Sequence, residues 1–188
     1  LNTISGRTTA TVNASAATAI NGSAADVATA LADGEISHTN TFDVTLTATS
    51  AAATAITAID AATTKVVDAS LVTTLTGTAA AIAAAATLDA NGTTTLKADF
   101  GATVDAGVVA ASDLNTISAQ TTATIDATGA TAINGSAADV ATALADTQIS
   151  HTSTFDVTLS TGSATATALS TINAATTKNI DATAVTAI

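Results

Sequence analysis

Apolar positions recur along this chain in two kinds of stripe with helical spacing. Short stretches typical of β-strands separate these stripes. One stripe follows Ser23 and consists of Ala24, Val27, Ala28 and Leu31. A second kind of stripe occurs three times, as Ala52-Ile56-Ile59, Ala110-Leu114-Ile117 and Leu169-Ile172. The pattern therefore predicts short helices alternating with short strands.

The start of the first helix is marked by turn and capping residues. Asn21-Gly22 is a turn signal, Ser23 is a good N-cap, and Asp26 completes a box-like pair that also suits the helix dipole. We expect this helix again at Ser136–Ala145, and a weaker one at Thr78–Ala86 with Ile82 as its only large anchor. Helices of two to three turns are unstable alone in water, so each must dock on its neighbours.

Strands are predicted where β-prone stretches such as TIDAT and VVDAS follow the helices. One aligned apolar position is expected to face inward; it is occupied by Val12, Val67, Ile125 and Ile180. Lys65 would share that face, and lysine is rarely buried, so the strand should start after it. Further strands are expected at Thr41–Leu46, Thr154–Leu159 and Ala102–Gly107.

The chain repeats itself. INGSAADVATALAD occurs at Ile20–Asp33 and again at Ile133–Asp146, and Leu1–Leu46 matches Leu114–Leu159 at 37 of 46 positions. The long period is 113 residues. It divides the chain into a first repeat, 1–113, with sub-units of about 1–55 and 56–113, and a truncated second repeat, 114–188. Because the first residue lies inside a repeat, we expect this sequence to be part of a longer chain.

Short repeated units of strand, turn and helix are typical of solenoids, in which stacked units bury a continuous core. We predict an α/β fold: one continuous, elongated solenoid of about seven coils, with short parallel strands and short Ala-rich helices. A pure β-solenoid, with the Ala-rich stretches as arcs, is the alternative.

Composition narrows the choice of partners and compartment. Fifteen acidic and four basic residues give a net charge of −11, which argues against nucleic acid because phosphate contacts need lysine and arginine. The longest apolar run, Ala79–Ala86, is too short to cross a bilayer. An acidic chain without cysteine favours an extracellular or cell-surface location, and a cytoplasmic one stays open.

Few residues suggest chemistry. Stacked coils could align single acids into ladders that bind calcium, and the candidates are Asp43, Asp68, Asp126 and Asp156. His38 and His151 each precede an aspartate by five residues, but one histidine per repeat is better explained as a surface or turn residue than as a metal ligand. No other cofactor is indicated.

Threonine pairs offer a further possibility, because stacked hydroxyl groups could bind ice. They occur as Thr8-Thr9, Thr63-Thr64, Thr121-Thr122 and Thr176-Thr177. Lys65, Val66 and Asn179 would interrupt such a surface. An enzyme is not expected, because a near-exact repeat makes every pocket twice and no cluster of titratable groups is present.

Three segments, DLNTISAQTTATIDAT (Asp113–Thr128), INGSAADVATALAD and AITAIDAATTKVVDAS (Ala55–Ser70), resemble tandem repeats of very large surface proteins from cyanobacteria and other aquatic bacteria. Those repeats are described as haemolysin-like, surface-layer or adhesin repeats. The resemblance implies export and a structural or adhesive role. We therefore predict a unit of an extracellular filament, sheath, surface layer or adhesin stalk that self-associates into a fibre or lattice, or continues along a longer chain. A repeat adhesin that binds glycan or calcium, and an ice-binding protein, are the alternatives.

Overall fold

The computed structural model describes all 188 residues and contains both helices and parallel strands, so the predicted α/β class is confirmed. The helices are α1 Asn2–Ser5, α2 Ala24–Ala32, α3 Ala53–Ala62, α4 Ala79–Asn91, α5 Ala111–Ser118, α6 Ala137–Ala145 and α7 Ala166–Ala175. The strands are β1 Val12–Asn13, β2 Ala19–Gly22, β3 Ile36–Ser37, β4 Asp43–Leu46, β5 Ser50–Ala52, β6 Val67–Ala69, β7 Thr74–Gly77, β8 Thr94–Leu96, β9 Gly101–Val104, β10 Gly107–Ala110, β11 Ile125–Asp126, β12 Ala130–Gly135, β13 Ile149–Ser150, β14 Asp156–Leu159, β15 Gly162–Ser163, β16 Ile180–Asp181 and β17 Val185–Ala187.

Two compact units divide the chain. Unit 1 comprises Leu1–Leu75 and Ala84–Phe100, and unit 2 comprises Thr76–Ala83 and Gly101–Ile188. Each unit holds one of the two INGSAADVATALAD segments, which allows the same sequence to be compared in two settings.

Unit 1 contains a four-stranded parallel sheet in the order β2-β4-β6-β8, and β1 pairs with β3. Ile20 pairs with Val44 and Val44 pairs with Val67, so the partners lie 24 and 23 positions apart. One helix fits into each of these connections, because parallel neighbours need a crossover. Helices α2 and α3 pack against each other. Each strand of this sheet therefore belongs to the next turn of the chain.

Unit 2 has the same construction. Its four-stranded sheet has the order β10-β12-β14-β16, with β9, β11 and β13 in a second sheet and β15 paired with β17. Ile133 pairs with Val157 and Val157 with Ile180, again 24 and 23 positions apart. Helix α6 packs against α5 and α7.

Most residues of the predicted apolar stripes lie in the interior, but Ala52 is exposed, Ala110 is half-buried, and both precede the helix that they were expected to join. Ile56, Ile59, Leu114 and Ile117 are fully buried, while Leu169 is half-buried beside buried Ile172. The three phenylalanines are the largest buried side chains; they are Phe42, Phe100 and Phe155. In α2 the buried face is Ala24, Val27 and Ala30, so the expected Ala28 and Leu31 are only half-buried.

The inward position of the β-prone stretches is confirmed in the middle of the chain. Val67 and Ile125 are fully buried, whereas Val12 and Ile180 are half-buried. Lys65 is exposed and β6 begins two residues after it, as expected.

Four predicted element bounds differ from the structure. Helix α4 continues beyond Ala86 to Asn91, because Thr87-Leu88-Asp89 can stay helical until Gly92 takes a left-handed φ of 75°. The strand expected over Ala102–Gly107 is two strands, β9 and β10, which are separated by Asp105 and Ala106. The next residue, Gly107, has a φ of 139°, which residues with a side chain rarely adopt. The strands at Thr41–Leu46 and Thr154–Leu159 are shorter than expected, and begin at Asp43 and Asp156.

Candidate functional site

Two of the calcium candidates, Asp68 and Asp126, each form a tight turn at the end of their own strand. The Oδ1 atom of Asp68 accepts hydrogen bonds from the backbone N–H and the hydroxyl of Ser70, at 3.1 and 2.6 Å. Asp126 makes the same pair with Thr128, at 3.0 and 2.6 Å. These donors favour the charged carboxylate and lower the pKa of both aspartates. One oxygen of each carboxylate is therefore already engaged by its own turn.

The same turn occurs at two further positions of the chain. Asp181 accepts from Thr183, and Asn13 accepts from the N–H and hydroxyl of Ser15. An uncharged asparagine makes the turn as an aspartate does, which shows that its geometry requires the side-chain oxygen and not the charge. The sequence signal is an apolar residue followed by Asp or Asn, Ala, and Ser or Thr.

The other two candidates, Asp43 and Asp156, begin β4 and β14 and are exposed. Asp43 and Asp68 lie on neighbouring strands, but Asp68 pairs with Thr45, which offsets the two acids by two residues. Asp126 and Asp156 lie in different sheets. No group of three or more histidine, aspartate or glutamate side chains is placed to hold a metal ion. Calcium binding stays a prediction.

Both histidines pack against a phenylalanine of the core. The ring of His38 meets Phe42 edge-on with centroids 5.5 Å apart, and His151 meets Phe155 at 5.4 Å. His38 Nδ1 lies 2.7 Å from the carbonyl oxygen of Thr39, and His151 Nδ1 lies 2.8 Å from that of Thr152. This arrangement suits a structural role in the turn between β3 and β4, and in the turn between β13 and β14.

In two of the threonine pairs the hydroxyl groups donate to backbone carbonyl oxygens. Thr63 is buried, and its hydroxyl donates to the carbonyl oxygen of Phe42 at 2.7 Å; Thr64 donates to that of Asn40 at 3.0 Å. Thr176 repeats this with the carbonyl oxygen of Phe155, at 2.5 Å. In these two pairs the hydroxyl groups therefore tie one turn of chain to the preceding one, and ice binding stays a prediction.

Serine and asparagine side chains on the helices make a second set of turn-to-turn contacts that sequence reasoning missed. Ser5 donates to Asp33 Oδ2 at 2.5 Å, which lowers the pKa of Asp33, and Ser118 makes the equivalent bond to Asp146. The only signal in the sequence was that both pairs recur 113 residues apart.

A groove in unit 1 is lined by both polar and apolar residues. Helix α1, β2 and α2 border a groove of about 300 Å³, lined on its apolar side by Leu1, Ile20 and Val27. Leu1 is 41% and Ile4 58% exposed, whereas the equivalent Leu114 and Ile117 are 0% exposed. We call this surface, formed by Leu1–Ser5 and Ala19–Gly22, the open face.

Comparison with known proteins identifies no relative. No protein-family model, curated protein or solved structure matches the chain. None of its helices has both the length and the apolar character needed to span a bilayer.

Proposed function

We propose that this chain is a structural repeat unit: an elongated α/β solenoid whose coils stack in register and that forms part of an extracellular filament, sheath, surface layer or adhesin stalk. The observation that carries the proposal is the equality of the two copies. INGSAADVATALAD adopts the same helix with the same cap in both units, with hydrogen-bond distances that agree within 0.1 Å.

Equal copies are what a stacked array requires, because each unit contacts only its neighbours and its stability comes from those contacts. Asn2 Nδ2 donates to the carbonyl oxygen of Asp26 at 3.0 Å, and Asn115 donates to that of Asp139 at 3.1 Å. Each bond joins residues 24 positions apart, the same separation as most strand partners. Backbone, asparagine and threonine contacts thus all link one turn with the next.

The chemistry of the side chains supports a mechanical role over a catalytic one. The aspartates whose pKa is lowered accept hydrogen bonds within turns or from neighbouring serine and lysine side chains. The histidine rings pack on phenylalanine rings. A net charge of −11 favours a well-hydrated exterior. The resemblance to bacterial surface-protein repeats supports the extracellular location.

Sedimentation velocity of the purified 188-residue protein over a wide concentration range, followed by negative-stain microscopy, tests this role. We expect linear particles that lengthen with concentration, because a contact between two different faces generates open chains of subunits. A single short species at every concentration would contradict self-association. Tight binding to immobilised glycans in that state would favour the adhesin alternative.

A further inference from the structure

A small cavity lies at the carboxyl end of helix α3 in unit 1. Its volume is about 230 Å³, and its lining includes Asp60, Thr63, Lys65 and Thr93. We propose that this α3 cavity binds a small zwitterion that carries an ammonium group and a carboxylate on the same carbon, such as a free α-amino acid. The inference goes beyond the structural role and does not depend on it.

The backbone shows which residue of unit 2 is equivalent to Thr93. The carbonyl oxygen of Thr93 accepts from the N–H of Val67 at 2.9 Å, and that of Gln148 accepts from the N–H of Ile125 at 2.8 Å. The two side chains therefore start from equivalent places. The hydroxyl of Thr93 turns back to the carbonyl oxygen of Leu88, at 3.4 Å, and leaves the end of α3 uncovered.

In unit 2 the side chain of Gln148 covers the end of helix α5 with two hydrogen bonds. Its Oε1 atom accepts from the hydroxyl of Ser118 at 2.9 Å, and its Nε2 atom donates to the carbonyl oxygen of Thr121 at 3.2 Å. Thr63 is the counterpart of Thr121, and its carbonyl oxygen has no equivalent donor. The α3 cavity thus lacks a donor that unit 2 supplies from its own chain.

Asp60 gives the α3 cavity a charge that its counterparts do not have. It lies in the last turn of α3, which contains no basic residue, and the helix dipole disfavours a negative charge there. A local rule that is broken in one copy of a repeat is typical of a functional site. The residues at the equivalent place after the isoleucine of the other helices are uncharged; they are Ser5, Ser118 and Asn173.

The buried side of the cavity offers hydrogen-bond acceptors. Asp60 Oδ1 accepts from the hydroxyl of Thr94 at 3.0 Å, and Thr94 is only 1% exposed. The other carboxylate oxygen of Asp60 and the carbonyl oxygen of buried Thr63 are left for a ligand. An ammonium group matches this set, because it has three N–H donors and no acceptor.

Lys65 supplies the opposite charge on the exposed side of the cavity. Its side chain is exposed, and it forms no ion pair with any acid of the chain. Because Asp60 and Lys65 are the only charged residues of the lining, a ligand with both charges pairs at both ends. The volume is below the roughly 300–1,000 Å³ of sites for drug-sized ligands, so the ligand must be small.

Titration of the ¹⁵N-labelled 188-residue protein with L-alanine tests the proposal. We expect saturable chemical-shift changes at residues 63–66 and 92–94. Ethylamine hydrochloride and sodium acetate each keep one of the two charges and should bind at least about tenfold more weakly. The absence of saturable changes with L-alanine, or an equal response to ethylamine, acetate, glycerol or calcium chloride, would overturn the proposal.

Two substitutions test the site by independent routes. Asp60→Asn keeps the oxygen that Thr94 uses and replaces the other by a donor, so it should weaken L-alanine binding at least about tenfold. Asp105→Asn removes an exposed charge elsewhere and should leave binding unchanged. Thr93→Gln should fill the cavity as Gln148 does and abolish binding. Unchanged binding in both Asp60→Asn and Thr93→Gln would contradict the site.

A third substitution tests the role of Lys65. Lys65→Gln should weaken the binding of L-alanine at least about tenfold and leave that of ethylamine unchanged, because ethylamine has no carboxylate. Lys178→Gln, at the equivalent exposed lysine of unit 2, is the matched control. Tighter binding of both compounds by Lys65→Gln would show that the lysine itself fills the cavity, and the proposal would be wrong.

Discussion

Ser23 and Ser136 show how much of this molecule is determined at single residues. Each hydroxyl accepts the N–H of the aspartate three residues later at 3.1 Å, and donates to that carboxylate at 2.7 or 2.6 Å. The aspartate bonds the serine hydroxyl, whereas in a standard capping box it would reach the serine backbone N–H. This closed pair holds a helix of nine residues that has little intrinsic stability.

Replacing the cap should therefore destabilise the protein. We expect Ser136→Ala to lower the free energy of unfolding by about 1 kcal/mol. Far-UV circular dichroism during urea denaturation provides the measurement, since the chain has no tryptophan. Ser112→Ala, an exposed serine within α5, is the control and should change the midpoint little. Equal effects of the two substitutions would show that the cap contributes nothing.

The aspartate turns predict how stability depends on pH. Hydrogen bonds from Ser70, Thr128 and Thr183 lower the pKa of Asp68, Asp126 and Asp181 in the folded chain. Such groups stabilise the fold above their unfolded pKa, about 4, and that contribution is lost as the pH falls through the lowered folded value. We expect the triple Asp→Asn variant to fold and to lose less stability than the unmodified chain as the pH falls below about 4.

Asn13 provides the reverse experiment, because it occupies the same turn without a charge. Asn13→Asp should make the acid dependence of the melting temperature steeper, measured by circular dichroism at a series of pH values. The account of these turns would be wrong if both variants gave the profile of the unmodified chain.

At the scale of elements, the helices depend on alanine at their first buried position. Ala24, Ala53, Ala111 and Ala137 each begin a helix and are almost completely buried. A side chain without atoms beyond Cβ lets the helix start lie close to a strand, as the Ala111–Gly135 contact shows. The core is therefore full although few of its side chains are large.

A larger residue at this position should not be tolerated. We expect Ala137→Leu to lower the free energy of unfolding by about 1–3 kcal/mol, because the added atoms have no space. Ala138→Leu, one residue further and exposed, keeps the helix propensity and should stay within about 0.5 kcal/mol. Denaturation midpoints of the matched pair measure the difference, and similar losses in both would argue against close packing.

Element positions could be predicted from the sequence because caps, stripes and turns all act locally. The Ser-x-x-Asp cap located α2 and α6, and the buried isoleucine and leucine stripe located α3 and α5. The end of α4 and the break between β9 and β10 depend on backbone angles at Gly92 and Gly107, which composition does not specify.

The candidate site was predicted less well than the fold. The sequence suggests Asp68 and Asp126 as possible calcium ligands, but it does not indicate that the hydroxyl group two positions later donates a hydrogen bond to each of them. The open face could not be predicted at all, since Leu1 and Ile4 have the same sequence as the buried Leu114 and Ile117. At these positions the two copies differ in strand pairing and burial and not in sequence.

At the scale of the whole molecule, we propose a stack in which successive turns bury one another's apolar sides. A stack of this kind grows along one axis when copies are added, while its cross-section stays constant. A globular fold would instead widen as the chain lengthens.

Small-angle X-ray scattering tests this claim most directly, on the 188-residue protein and on a version lengthened by one further 113-residue repeat. The account predicts the same cross-sectional radius of gyration for both and a larger maximum dimension for the longer chain. A cross-section that increases with chain length, together with a symmetric distance distribution, would contradict it.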